Sequence, residues 1–130
     1  MEVEFIIACQ YGDVDKIKEL LQDERVDPSY DHNLMFRYSC GNACLEVVKL
    51  LLGDLRVDPS DFDNEAVRNA SLLGRIDTVK LLLGDPRVDP SDYNSQTIRF
   101  ASEQGHSEMV KLLLEDYRVD PTALNNQAIF

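Results

Sequence analysis

The segment Asp-x-Arg-Val-Asp-Pro-Ser/Thr begins at Asp23, Asp54, Asp85 and Asp116, at an interval of 31 residues each time. A fixed period of that length restricts the chain to stacked supersecondary units. One such unit is too small to bury its apolar face alone and completes its core against its neighbours. Architecture is therefore read from what recurs, and any binding site from what does not.

Each motif follows an apolar run with helical spacing. Ile17, Leu20 and Leu21 recur as Val48, Leu51 and Leu52, as Val79, Leu82 and Leu83, and as Val110, Leu113 and Leu114. This is the i, i+3, i+4 stripe of a short amphipathic helix. An acidic residue opens each copy (Asp15, Glu46, Asp77, Glu108), where the free amides of a helix start favour negative charge, and a lysine falls near the middle (Lys18, Lys49, Lys80, Lys111).

A first helix precedes this one in each unit. Asn33, Asn64, Ser95 and Asn126 introduce it, residue types whose side chains accept hydrogen bonds from the first amides of a helix. It ends near Gly12, Ala43, Gly74 and Gly105, and glycine at three of these four positions fits a left-handed turn between antiparallel helices. Ala8, Ser39, Ala70 and Ala101 form a column of small residues that permits close approach of the next unit. The expected fold is all-α: a solenoid of four helix-turn-helix units over about 1–32, 33–63, 64–94 and 95–125, with a partial fifth helix over 126–130, forming one domain.

The fourth unit reads Thr97-Ile98-Arg99-Phe100-Ala101-Ser102-Glu103-Gln104-Gly105-His106-Ser107-Glu108-Met109-Val110-Lys111-Leu112-Leu113-Leu114, and it resembles an ankyrin repeat. The family's Gly-His-Leu-Glu-Val-Val-Lys-Leu-Leu-Leu segment is matched best there and in the second unit, and the resemblance extends over essentially the whole chain. Two departures stand out. The units are shorter than the family's usual repeat, with the shortening in the loop ahead of the first helix. Arginine (Arg37, Arg68, Arg99) stands where the family's Thr-Pro-Leu-His opening has histidine. The Asp-x-Arg-Val-Asp-Pro style is similar to that of arrays encoded by large DNA viruses of amoebae and by some protists.

The formal net charge is −11, from 13 lysines and arginines against 24 aspartates and glutamates. Such a balance disfavours nucleic acid and anionic membrane as partners and favours a protein with a basic or mixed surface. Eleven of the 13 cations fall in three columns at the repeat period, leaving only Lys16 and Arg75 outside, so the register of the units accounts for them. Cys9 and Cys40 occupy one column in adjacent units, about one helix-packing distance (roughly 8–10 Å) apart and beyond the ~7 Å limit for a disulfide. Cys40 and Cys44 straddle a turn. A reduced, intracellular protein is expected, cytoplasmic or nuclear, or in the host cytoplasm if viral. No apolar stretch approaches the length needed to span a membrane.

The search for catalytic chemistry ends quickly. His32 and His106 are the only histidines, and no Cys/His spacing suits zinc. No phosphate loop, nucleophile elbow or serine-histidine-aspartate set is present, so neither a cofactor nor an enzymatic activity is expected. The column Asp27, Asp58, Asp89 and Asp120 is a turn device rather than a calcium ladder, because an aspartate before proline accepts nearby amides and successive units hold these carboxylates too far apart to share an ion. The loop arginines (Arg25, Arg56, Arg87, Arg118) are expected to tie each loop to an aspartate of their own or a neighbouring unit.

The resemblance implies that a partner protein meets the concave face, formed by the loop tips and the exposed side of the first helices. Aligned on the turn glycine, the positions that vary between units are Tyr11, Asn42, Leu72, Leu73, Glu103 and Gln104 at the end of the first helix. In the loop before it they are Tyr30, Asp61, Phe62, Asp92 and Tyr93. These form the expected partner-binding set, centred on the second and third units, with aromatic anchors beside a polar rim. Phe62, Tyr93 and Leu72 also suit packing between units. The function expected is thus a non-catalytic protein-interaction module. The alternatives are an assembly component that self-associates through its exposed C-terminal repeat end, and a regulatory fragment of a larger adaptor.

Overall fold

A computed structural model of the protein describes residues 2–42, 44–90 and 92–116, with the main chain alone over 92–96. Eight helices follow in order: α1 (Glu2–Tyr11), α2 (Val14–Leu21), α3 (Tyr30–Gly41), α4 (Leu45–Leu52), α5 (Asp61–Leu72), α6 (Ile76–Leu83), α7 (Asp92–Glu103) and α8 (Ser107–Leu114). Among the described residues there is no strand. Odd-numbered helices are the first of each unit and pack in one row, and even-numbered helices pack in a second row. The result is the expected all-α solenoid of four helix-turn-helix units. The fourth Val-Asp-Pro loop and the partial fifth helix lie outside the described residues.

The repeated apolar columns make the core. Phe5, Phe36, Val67 and Ile98 from the first helices, Leu20, Leu51, Leu82 and Leu113 from the second, and Val26, Val57 and Val88 from the loops are all buried. So is the small column Ala8, Ser39, Ala70 and Ala101. Gly12, Gly74 and Gly105 turn the chain between paired helices with φ of 67°, 74° and 76°, a region that costs glycine little. A Cβ on Gly74 would also lie 3.2 Å from the His106 ring of the next unit. Ala43, expected to mark the second such turn, lies outside the described residues.

The Asp-x-Arg pair is a closed fork. The Asp54 carboxylate accepts from the Arg56 main-chain N at 2.9 Å and from its Nε and Nη2 at 3.0 and 2.7 Å. Asp23 with Arg25 and Asp85 with Arg87 repeat this to within about 0.1 Å. The guanidinium's remaining donors cross to the preceding unit. Arg56 Nη1 donates to the Val26 carbonyl and Arg87 Nη1 to the Val57 carbonyl, both at 2.9 Å, and Arg56 Nη2 also reaches the Leu21 carbonyl at 2.8 Å. The arginines therefore pair with aspartates of their own units while binding a neighbour's main chain. Asp27 and Asp58 serve as the expected turn devices, each accepting from the amide two residues on, that of Ser29 or Ser60.

The asparagines depart from expectation. Asn33 and Asn64 do not cap the helices they introduce. Both have left-handed backbones and buried side chains directed at the loop that joins their unit to the next. Asn33 Nδ2 donates to Asp61 at 2.8 Å, and its Oδ1 accepts the Asp58 amide at 3.0 Å. Asn64 Oδ1 likewise accepts the Asp89 amide at 2.8 Å. The cause is a left-handed turn at the start of α3 and α5, where Asp31, His32 and Asn33, then Phe62, Asp63 and Asn64, have φ of 53–59°. L-residues pay about 1–2 kcal/mol each there, asparagine and aspartate least. The helix arginines offset this by binding the carbonyls that the turn leaves exposed. Arg37 donates to those of His32 and Asp31, at 2.9 and 3.2 Å, and Arg68 to those of Asp63 and Phe62, at 3.2 and 3.3 Å.

Two outcomes follow. Asn33→Ala loses both bonds to that loop, strands the Asp58 amide and keeps the left-handed strain, so denaturant unfolding should show a loss of about 3 kcal/mol. Asn33→Gly relieves the strain and should lose about 1 kcal/mol less. The second concerns acid. The hydrogen bonds from Arg25 lower the Asp23 pKa from 3.8 to about 2, and those from Arg56 and Arg87 lower Asp54 and Asp85 in the same way. A carboxylate more acidic in the folded state stabilises fully above its unfolded value and loses that contribution as the pH drops through its folded value. Stability measured by urea titration should thus be flat in this respect above about pH 5 and decline from about pH 4 toward pH 2, and Asp54→Asn should flatten part of the decline.

Candidate protein-interaction surface

The outward side of the first helices carries side chains that the core does not use. In α1, Phe5, Ala8 and Cys9 face the core, whereas Val3, Ile7 and Tyr11, spaced four apart and hence on one face, are exposed. This helix is apolar on both sides, an arrangement ordinarily found in helices covered on both sides. The same positions hold Leu34 and Tyr38 in α3, and Glu65 and Asn69 in α5, followed by Leu73 just past the end of α5. Tyr38 and Leu73 are exposed, and Leu34 is partly so.

A groove of about 340 Å³ runs between α3 and α5, lined by Leu34, Tyr38, Asn42, Asn69 and Leu73. Arg37 and Glu65 also line it and form an inter-unit ion pair at 2.8 Å, which leaves the groove without an unbalanced cation. Leu73 Cδ1 would stand 3.5 Å from a Cβ placed on Gly41, an ordinary van der Waals contact, so the leucine packs over the end of α3. A second recess of about 350 Å³ lies beside Ile7, Tyr11, Asp13 and Lys16.

The residues expected to bind a partner divide into distinct groups. Tyr11, 84% exposed, and Leu73, 51% exposed, lie on the surface, and Asn42, Glu103 and Gln104 are exposed at the ends of their first helices. Tyr30 is half-exposed at a loop tip. Leu72 is partly buried, and its carbonyl lies 3.0 Å from Nε2 of His106 in the next unit. Asp61 is engaged by Asn33. Phe62 is 50% exposed, but the Arg37 guanidinium lies 4.5 Å from its ring centroid and the His32 ring meets it edge-on at 5.5 Å. These two therefore contribute to the joint between units. The side chains of Asp92 and Tyr93 lie outside the described residues.

Val3, Ile7, Leu34 and Tyr38 extend the exposed apolar surface beyond the sequence-based set and move its centre to the first two units. Their signal was present as two columns at the 31-residue period, combined with four-residue spacing along α1. Alignment on the turn glycine alone passed over it.

The two buried thiols are poor nucleophiles. Burial pushes both Cys9 and Cys40 up to about 12, and all three cysteines are free. Among the described residues no group of three or more histidine, cysteine or carboxylate side chains is placed to hold a metal, and no helix is long and apolar enough to cross a membrane.

The family model described as ankyrin repeats (3 copies) matches residues 40–125. The chain belongs to the ankyrin-repeat family. Comparison with curated proteins and with solved structures gave no match. The first unit of this ankyrin array precedes the matched segment, yet it carries the same aspartate-arginine fork and the same buried columns. Ankyrin arrays are generally protein-protein interaction modules.

Structural and surface roles separate by stability. Phe62→Ala removes the cation-π and edge contacts and should cost about 1–2 kcal/mol in thermal unfolding, whereas Tyr11→Ser should cost no more than about 0.5 kcal/mol.

Proposed function

We propose that the protein is a non-catalytic binding module that presents the outward face of α1, α3 and α5, with the turns that follow them, to a partner protein. The observation that supports this most directly is the set Val3, Ile7, Tyr11, Tyr38 and Leu73, exposed on the first helices and the turns after them, whereas the columns that begin at Phe5, Ala8, Leu20 and Val26 are buried. A contiguous apolar surface rimmed by polar residues is a common mark of protein contact. Stacking fixes these side chains on packed helices before the partner arrives, so association forfeits less conformational freedom. The charge of −11 favours a partner with a basic or mixed surface. Three free thiols, two of them buried, suit a reducing, intracellular setting.

The test is site-specific photo-crosslinking in cells that express the chain. A crosslinker at position 38 should give a discrete adduct that Leu73→Ser reduces at least about tenfold, while one at Lys49 in α4 should give none. Equal adducts from both positions, or an adduct indifferent to Leu73→Ser, would remove this face from the reading.

A further inference from the structure

Resting on that reading, we infer that the occupant of the face is an amphipathic α-helix of a partner protein, with large apolar residues along one side and lysine or arginine on its flanks.

The face consists of the outer surfaces of helices, and that decides between helical and extended partners. Main-chain amides within α1, α3 and α5 are spent inside their own helices, and no strand edge exists among the described residues. An extended segment laid here would find side chains but no main-chain ladder, and its own amides and carbonyls would lose water without replacement. A helix arrives with its main chain already satisfied and needs only an apolar stripe to bury.

Dimensions agree. Val3, Ile7 and Tyr11 step along α1 by four residues, about 6 Å each, the spacing of i, i+4 anchors on a facing helix. Neighbouring first helices lie roughly 8–10 Å apart, close to the ~10.5 Å between positions i and i+7. The apolar surface therefore matches one side of a helix whether that helix runs along the units or across them.

Charge defines the flanks. The first helices of units one and two contain the carboxylates of Glu2, Glu4 and Asp31 and a single cation, Arg37, which is already held by Glu65. The lysines of the second helices stand in the other row except Lys16, which lines the recess beside Ile7 and Tyr11, where the carboxylates of Glu4 and Asp13 outnumber it. Basic residues bordering the partner's apolar stripe would meet these carboxylates, whereas acidic ones would be repelled. An anionic lipid surface is disfavoured for the same reason.

Three synthetic peptides of about 18 residues, five helical turns, test this by fluorescence anisotropy at physiological salt: a leucine/lysine amphipathic helix, a leucine/glutamate counterpart, and a serine/lysine peptide of equal charge with no apolar side. The leucine/lysine helix should bind at least about tenfold more tightly than either of the others. Ile7→Ser combined with Tyr38→Ser, verified as folded by circular dichroism, should weaken it at least about tenfold. Absence of binding, equal binding of the leucine/glutamate or serine/lysine peptide, or indifference to the double variant would overturn the helical, basic assignment. If the crosslink at position 38 persists in that case, the binding-module reading stands and only the partner class falls. Should both fail, the face itself is wrong.

Discussion

The loops of this array are fastened to one another by side chains that bind main-chain groups, beside the side-chain contacts of Arg37 with Glu65 and of Asn33 with Asp61. The Arg56 guanidinium reaches back to the Val26 carbonyl, and Asn33 at the start of α3 binds the Asp58 amide, so the loop ahead of α5 is fastened both to the preceding loop and to the preceding first helix. Arg87 with Val57 and Asn64 with Asp89 fasten the next joint in the same way. These bonds orient loops that carry the buried valines, and the loops in turn set the spacing of the first helices. Because a buried main-chain group without a partner costs about 1–3 kcal/mol, each joint favours a single stacking geometry over near alternatives.

The left-handed turn is the strained part of this arrangement. Placing Phe62 at φ 58° is unfavourable for a bulky residue, although its amide donates locally to the Asp61 carboxylate at 2.8 Å. The support comes from both sides: Arg68 in the following helix binds the turn's carbonyls, and Arg37 of the preceding unit stacks on the phenyl ring. Strain of this kind persists where surrounding contacts over-determine it. Here it shortens the loop while aiming an asparagine at the loop that leads to the next unit, which gives the 31-residue repeat a physical rationale.

Much of the fold was legible because each signal was local and repeated. The helix stripes, the turn glycines and the Asp-Pro turn each depend on a few neighbouring residues and occurred in several copies. The asparagines misled because Asn33 before a helical stripe fits a cap equally well, and only the loop that leads to the next unit redirects it. The helix arginines kept their purpose hidden for a related reason. The carbonyls bound by Arg37 become available through the left-handed turn, a conformation with no glycine to announce it. The surface was partly legible. Tyr11 and Leu73 followed from the turn alignment, whereas Ile7 and Tyr38 lie a helical turn away from it, and their exposure follows from Phe5, Ala8 and Cys9 filling the interior side of α1. Asp61 and Phe62 varied between units as a binding residue would, but their variation serves the joint instead.

The fork ends on backbone carbonyls and each asparagine clamp on a backbone amide, groups that every residue type but proline supplies together, with one further bond from Asn33 to the Asp61 carboxylate. A unit therefore recognises its neighbour by shape and register, largely regardless of the side chains that neighbour displays. Gain or loss of a whole 31-residue segment of coding sequence would regenerate the same joints at the new boundary, without compensating changes elsewhere. Arrays of this construction can change length in single genetic steps while the displayed face diverges unit by unit.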